Sequence, residues 1–152
     1  MEQQELEKII KKAVSEAIEA YSENEKKKET KKVYNLTFKY LKAYNDMKSS
    51  LKTETEAAGS SKGEFIQRMD DGKKETAAII AIIDKAVQEL EAEEKEKGDS
   101  YKMDVFKMYF FERKTYEQII EHVHTGDSTP RRWVSQMVGK IATKLFGVEG
   151  LE

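Results

Sequence analysis

One proline in 152 residues, at position 130, leaves this chain very few places to stop a helix, and most of its eight glycines gather at a few boundaries. Proline removes a backbone donor and clashes with the preceding turn, while glycine costs roughly 1 kcal/mol of helix propensity relative to alanine. The remainder is rich in Glu, Lys and Ala, and nowhere alternates apolar and polar residues as a half-buried strand must. An all-α fold is predicted, with long amphipathic N-terminal helices followed by a C-terminal tri-helical unit.

The N-terminal part divides by periodicity. Ile10, Val14, Ala17 and Tyr21 recur at helical spacing and make an apolar stripe that needs a partner. Ser22 to Lys32 is polar and charged throughout, which fits either an exposed helical bridge or a joint. A second amphipathic run from about Lys32 to Lys52 places Tyr34, Phe38, Leu41, Tyr44 and Leu51 near one face, widened by Tyr40 and Met47. Ala57 to Gly63 reads as a loop, and a weak apolar region surrounds Phe65, Ile66 and Met69. From Lys74 to Glu94, Ala78, Ile79, Ile82, Ile83, Ala86 and Leu90 cover much of the circumference, the pattern of a helix buried between others. Gly98-Asp99-Ser100 marks the boundary, dividing the chain into a helical oligomerisation or partner-binding region over 1–98 and a second unit over 99–150.

That second unit has three helices by pattern. The first, Tyr101 to Phe111, carries Tyr101, Val105, Met108 and Phe110. Thr115 is placed to cap a short helix from Tyr116 to Val123, whose inner face is Tyr116, Ile119, Ile120 and Val123. A Gly-containing turn leads to a longer helix that begins near Ser128, since Pro130 is tolerated only in a first turn, and stops at Gly147. A short helix, a tight turn and a longer helix with a basic, hydroxyl-rich start is the helix-turn-helix arrangement that enters a DNA major groove.

On the last helix Pro130, Trp133, Val134, Met137, Val138, Ile141 and Leu145 form an apolar sector, opposite Ser128, Arg131, Arg132, Ser135, Gly139 and nearby Gln136. Candidate groove contacts are Ser128, Thr129, Arg131, Arg132, Ser135 and Gln136. Lys140 and Lys144 are candidates for phosphates, and Thr115 and Tyr116 for positioning on the backbone. Arginine's planar fork reads guanine in a way a lysine point charge does not, and three of the four arginines (68, 113, 131, 132) lie in this unit. Arg113 and Lys114, in the turn before the short helix, are divided between phosphate contact and plain solvation. Trp133 is read as core.

Global charge does not advertise such binding: 27 basic against 29 acidic residues give a net charge of -2, so the argument rests on local patches. The absence of cysteine excludes disulfides, Cys-based zinc sites and thiol catalysis. His122 and His124 lie two apart with no third ligand in phase, so no metal site is expected. No phosphate loop, zinc helix or nucleophile motif is present, and a non-enzyme without cofactors is expected. The longest apolar run, Thr76 to Ile83, is too short to span a bilayer, which favours a cytoplasmic protein with no membrane partner.

Lys114-Thr115-Tyr116-Glu117-Gln118-Ile119-Ile120, Ser128-Thr129-Pro130-Arg131-Arg132-Trp133 and the ending Ala142 to Gly147 resemble the ArpU/RinA-type phage transcriptional regulators, whose C-terminal unit is similar to region 4 of bacterial sigma factors. The run Tyr34 to Tyr44 is similar to that family's aromatic and lysine-bearing helix. The resemblance implies a phage or prophage regulator, an activator of late genes in a bacterial host. Promoter DNA, RNA polymerase and a second copy of the chain would be its partners. The residues alone also accommodate a sigma-like, polymerase-held factor, a ring-forming packaging adaptor of the small-terminase kind, or a helical protein-binding module.

Overall fold

A computed structural model describes the backbone of residues 2–58 and 71–147 and the side chains of 2–52 and 72–147. Every element among these is a helix: α1 Gln3–Ala58, α2 Asp71–Lys97, α3 Ser100–Phe110, α4 Tyr116–Val123 and α5 Thr129–Phe146. Phe65, Ile66 and Met69, and most of the loop expected over 57–63, lie outside the described residues, although Ala57 and Ala58 still belong to α1.

The polar run 22–32 resolves as helix. It contains no Gly or Pro and consists mostly of Glu and Lys, which have high helix propensity and pair along the surface, as Glu25 and Lys28 do at 3.6 Å. α1 is therefore one rod, roughly 80 Å long at about 1.5 Å per residue. Only its second half joins the body, through buried Thr37, Leu41 and Tyr44 flanked by Tyr34, Phe38, Tyr40, Met47 and Leu51.

α2 contributes Ile80, Ile83, Ala86, Val87 and Leu90, one face at three- and four-residue spacing. The wider burial expected for this helix is not found: Ala78 and Ile82 are exposed, so one side of α2 packs and the other meets solvent. In α3 the inward residues are Met103, Val105, Phe106 and Phe110, whereas Tyr101 is exposed and packs edge-on against Trp133. In α5 Pro130, Val134, Met137, Val138 and Ile141 are buried as the apolar sector required. Leu41, Ile83 and Leu90 share one cluster with Phe106, Met137 and Ile141, so packing is continuous across Gly98.

α1 also closes the turn between α3 and α4. Asn45 Nδ2 donates to the Phe111 carbonyl at 2.8 Å, Asp46 pairs with Arg113 at 2.6 Å, and the Tyr44 ring meets Phe111 at 4.7 Å. Carbonyls that a helix end leaves orphaned are thus met by one side chain, Asn45, from 65 or so residues away. Tyr44 itself donates to Asp84 of α2; burial first, and then that carboxylate, holds its phenol well above the ordinary range.

α4 starts as its sequence requires. Thr115 Oγ1 accepts from the Gln118 amide at 3.2 Å while Gln118 Oε1 accepts from the Thr115 amide at 2.9 Å, a complete capping box. It ends at His124, which takes the left-handed conformation (φ 57°) and donates its amide to the Ile120 carbonyl. The left-handed residue of this turn is therefore His124 and not Gly126. That conformation strains any residue with a Cβ, so His124→Gly is expected to raise stability by up to about 1 kcal/mol in urea unfolding; a loss would mean that the imidazole holds the turn.

Candidate nucleic-acid interface

α5 begins at Thr129, capped by Ser128 without a side-chain bond and with Pro130 in its first turn. Ser128, Arg131, Arg132 and Ser135 share one sector of its first two turns, and all four are exposed. Thr129 and Gln136 flank them half-buried. No carboxylate pairs with Arg131 or Arg132 among the described residues.

The two arginines do different things. The Arg131 guanidinium lies 4.4 Å from the centre of the Tyr116 ring, and Tyr116 stacks in turn on Tyr109 at 4.5 Å with planes 15° apart. Lys42 of α1 sits 4.0 Å over the opposite end of this stack, on Tyr109. Aromatic faces attract cations and hold the long side chains that carry them in place. Burial, and after it the neighbouring Tyr109, raises the Tyr116 phenol above its usual range, while Arg131 pulls the other way. The phenol therefore stays neutral and serves as a platform. Arg132 makes no such ring contact among the described residues and is exposed at the helix start.

Beside the stack opens a cavity of about 580 Å³ lined by Lys42, Arg113, Lys114, Thr115, Tyr116 and Arg131 among others. Four cations face it against one carboxylate, Glu117. Two of the cations are partly neutralised, Arg113 by Asp46 and Lys114 by Glu112 at 3.6 Å. The capped start of α4 adds the positive end of its helix dipole. The net charge of this surface favours anions.

Two of the expected phosphate contacts face elsewhere. Lys140 reaches the fully buried Glu94 of α2 at 2.5 Å, and Lys144 reaches Glu93 at 2.5 Å and Glu89 at 3.7 Å. Both lysine side chains are largely covered, at 18% and 20% exposure, and fasten α5 to α2. Gly139 is likewise buried and not on a free outward sector. Tyr34 of α1 donates to Ser135 Oγ at 3.1 Å, one turn earlier on the same side. Gly139 and Ala142, one and two turns beyond Ser135 on the same side of the helix, are both buried. The exposed part of the α5 sector is confined to its first two turns.

Sequence reasoning missed Lys42, Tyr109 and Tyr34 as members of this surface. The available signal was the four-residue spacing of Tyr34, Phe38 and Lys42, which puts a lysine one turn beyond two aromatic rings on a single helix edge.

Fold and surface together define a class: an all-helical protein with a cationic, aromatic-backed patch at the starts of two successive helices. No protein-family model matches the sequence, no curated protein matches it, and no solved structure matches the fold. Among the described residues no helix is long and apolar enough to cross a membrane, and no group of three or more His, Asp or Glu is placed to hold a metal ion.

Proposed function

We propose that this chain binds duplex DNA as a transcriptional regulator, with α4 and α5 acting as a helix-turn-helix and the first two turns of α5 entering the major groove. The observation that carries the reading is the exposure of Ser128, Arg131, Arg132 and Ser135 on one sector, beside a cationic cavity at the start of α4. In that arrangement Arg132 and Ser135 meet base edges. Arg131, Lys42 and Lys114 hold phosphates and set the register. The resemblance of Thr115 to Ile120 and Ser128 to Trp133 to phage late-gene regulators points the same way, and a late-gene activator encoded by a phage or prophage is the biological role proposed.

The test is a fluorescence-anisotropy titration of labelled duplexes over a range of salt. Three phosphate contacts predict that log K falls against log[salt] with a slope of about -3. Duplexes drawn from the DNA flanking the gene are expected to bind at least about 10³-fold more tightly than random sequence. Absence of binding to any duplex at roughly 50 mM salt, where nonspecific contacts are strongest, would remove the proposal.

A further inference from the structure

The first half of α1 stands outside the body: every residue from 2 to 29 is exposed. At about 100° per residue, Leu6, Ile9, Ile10, Val14, Ile18 and Tyr21, with the alanines between them, occupy one half of its circumference. These six large side chains are 48% to 68% exposed. A continuous apolar stripe of this size on a projecting helix marks an interaction surface. We propose that its occupant is the same segment of a second copy of this chain, running antiparallel.

Spacing and charge both select that occupant. Ile10, Val14, Ala17 and Tyr21 follow the alternating four- and three-residue steps of a coiled-coil seam. With two copies antiparallel and centred between Ser15 and Glu16, Ile10 lies level with Tyr21 of the other copy and Val14 with its Ala17, so large residues face residues of complementary size. At the same 100° per residue, Glu7, Lys11 and Glu25 flank the seam on one side, and Glu2 and Lys27 flank it on the other. Reversing one helix makes each flank meet its own copy. Lys11 then comes near Glu25 of the other copy on one flank, and Glu2 near its Lys27 on the other, both attractive.

The area also suffices. With on the order of 80 Å² exposed on each large side chain, each copy would bury roughly 500 Å² and the pair roughly 1,000 Å², the lower bound of a specific interface. The dyad falls about 38 Å along α1 from Leu41, which holds the two bodies on the order of 70 Å apart. If the DNA-binding proposal also holds, that separation suits sites about two helical turns apart; the dimer itself does not depend on it.

The chain has no cysteine, so single thiols report the register directly. Sedimentation equilibrium of the full chain is expected to give a dimer, with Ile10→Glu combined with Val14→Glu raising the dissociation constant at least about 100-fold. Both positions are solvent-facing within one copy, so the fold of the body should survive in circular dichroism. Under mild oxidation, Ile10→Cys protein alone and Tyr21→Cys protein alone should remain unlinked, while their mixture yields a disulfide-linked pair. A wild-type chain that is monomeric at about 100 µM overturns the proposal, including the case in which the monomer instead binds vesicles or another protein through this stripe. Self-linking of either single-cysteine protein overturns the antiparallel arrangement.

Discussion

Alanine at Arg132 is expected to weaken binding to the preferred duplex by about 10- to 100-fold and to relax preference at one base pair, the loss of roughly 1–3 kcal/mol of discrimination that a bidentate arginine supplies. Alanine at Arg131 should behave differently. Its guanidinium rests on Tyr116 and faces the cavity that Lys42 and Lys114 also line, so it is assigned to phosphate. Its loss is expected to weaken all duplexes alike and to make the salt slope shallower by about 1. Tyr116→Leu keeps bulk but removes the π face, and should reproduce part of the Arg131 effect without changing sequence preference. The double arginine variant should lose specific binding almost entirely. Both arginine side chains are exposed, so the losses from the arginine variants should not be accompanied by a change in the thermal midpoint, whereas half-buried Tyr116 also packs on Tyr109. Unchanged affinity of the double variant for its preferred site would remove α5 from the interface.

What was legible before the structure is what local chemistry decides. Thr115 and Gln118 form the cap that their spacing announces, Pro130 sits in a first turn, and Gly147 ends α5 in the left-handed conformation at φ 67°. Each of these features is settled within about five residues of chain. The faces of α5 and of the second half of α1 were legible for a similar reason, because one wide apolar sector admits one orientation. α3 was less so: of the expected Tyr101, Val105, Met108 and Phe110, only Val105 and Phe110 are buried, and Met103 and Phe106 are buried with them, a choice made by the neighbouring helices. The roles of Lys140 and Lys144 depend on carboxylates 46 and 51 residues away, and Ser135 meets a hydroxyl 101 residues away. No periodicity carries such information. Gly139 was misplaced on the same account, since a small residue on a polar sector looks the same whether another helix covers it or nothing does.

Replacing Lys140 with methionine is expected to destabilise the protein by about 3–5 kcal/mol, the cost of leaving a buried charge without its partner. Glu94 is fully buried between α2 and α5. Its Oε1 takes the Lys140 ammonium at 2.5 Å and has Lys97 at 3.8 Å, while its Oε2 has no hydrogen-bond partner among the described residues. Lys97 is 58% exposed and too distant to compensate by itself. A half-satisfied buried carboxylate contributes little net stability while paired, because desolvation offsets most of the Coulomb attraction. The sign of the effect should therefore reverse when both partners go. Glu94→Leu combined with Lys140→Met exchanges the ion pair for apolar contact with Leu90 and Met137 nearby in the same core, and is expected to restore wild-type stability or exceed it by about 1–4 kcal/mol. Urea unfolding of the wild type, both single variants and the double variant closes the cycle. A small loss for Lys140→Met alone would mean that Glu94 finds water or Lys97 in its place. If the double variant keeps its stability and still binds DNA, Lys140 acts inside the protein and not on phosphate, which separates the lysines that hold α5 in place from the arginines proposed to use it.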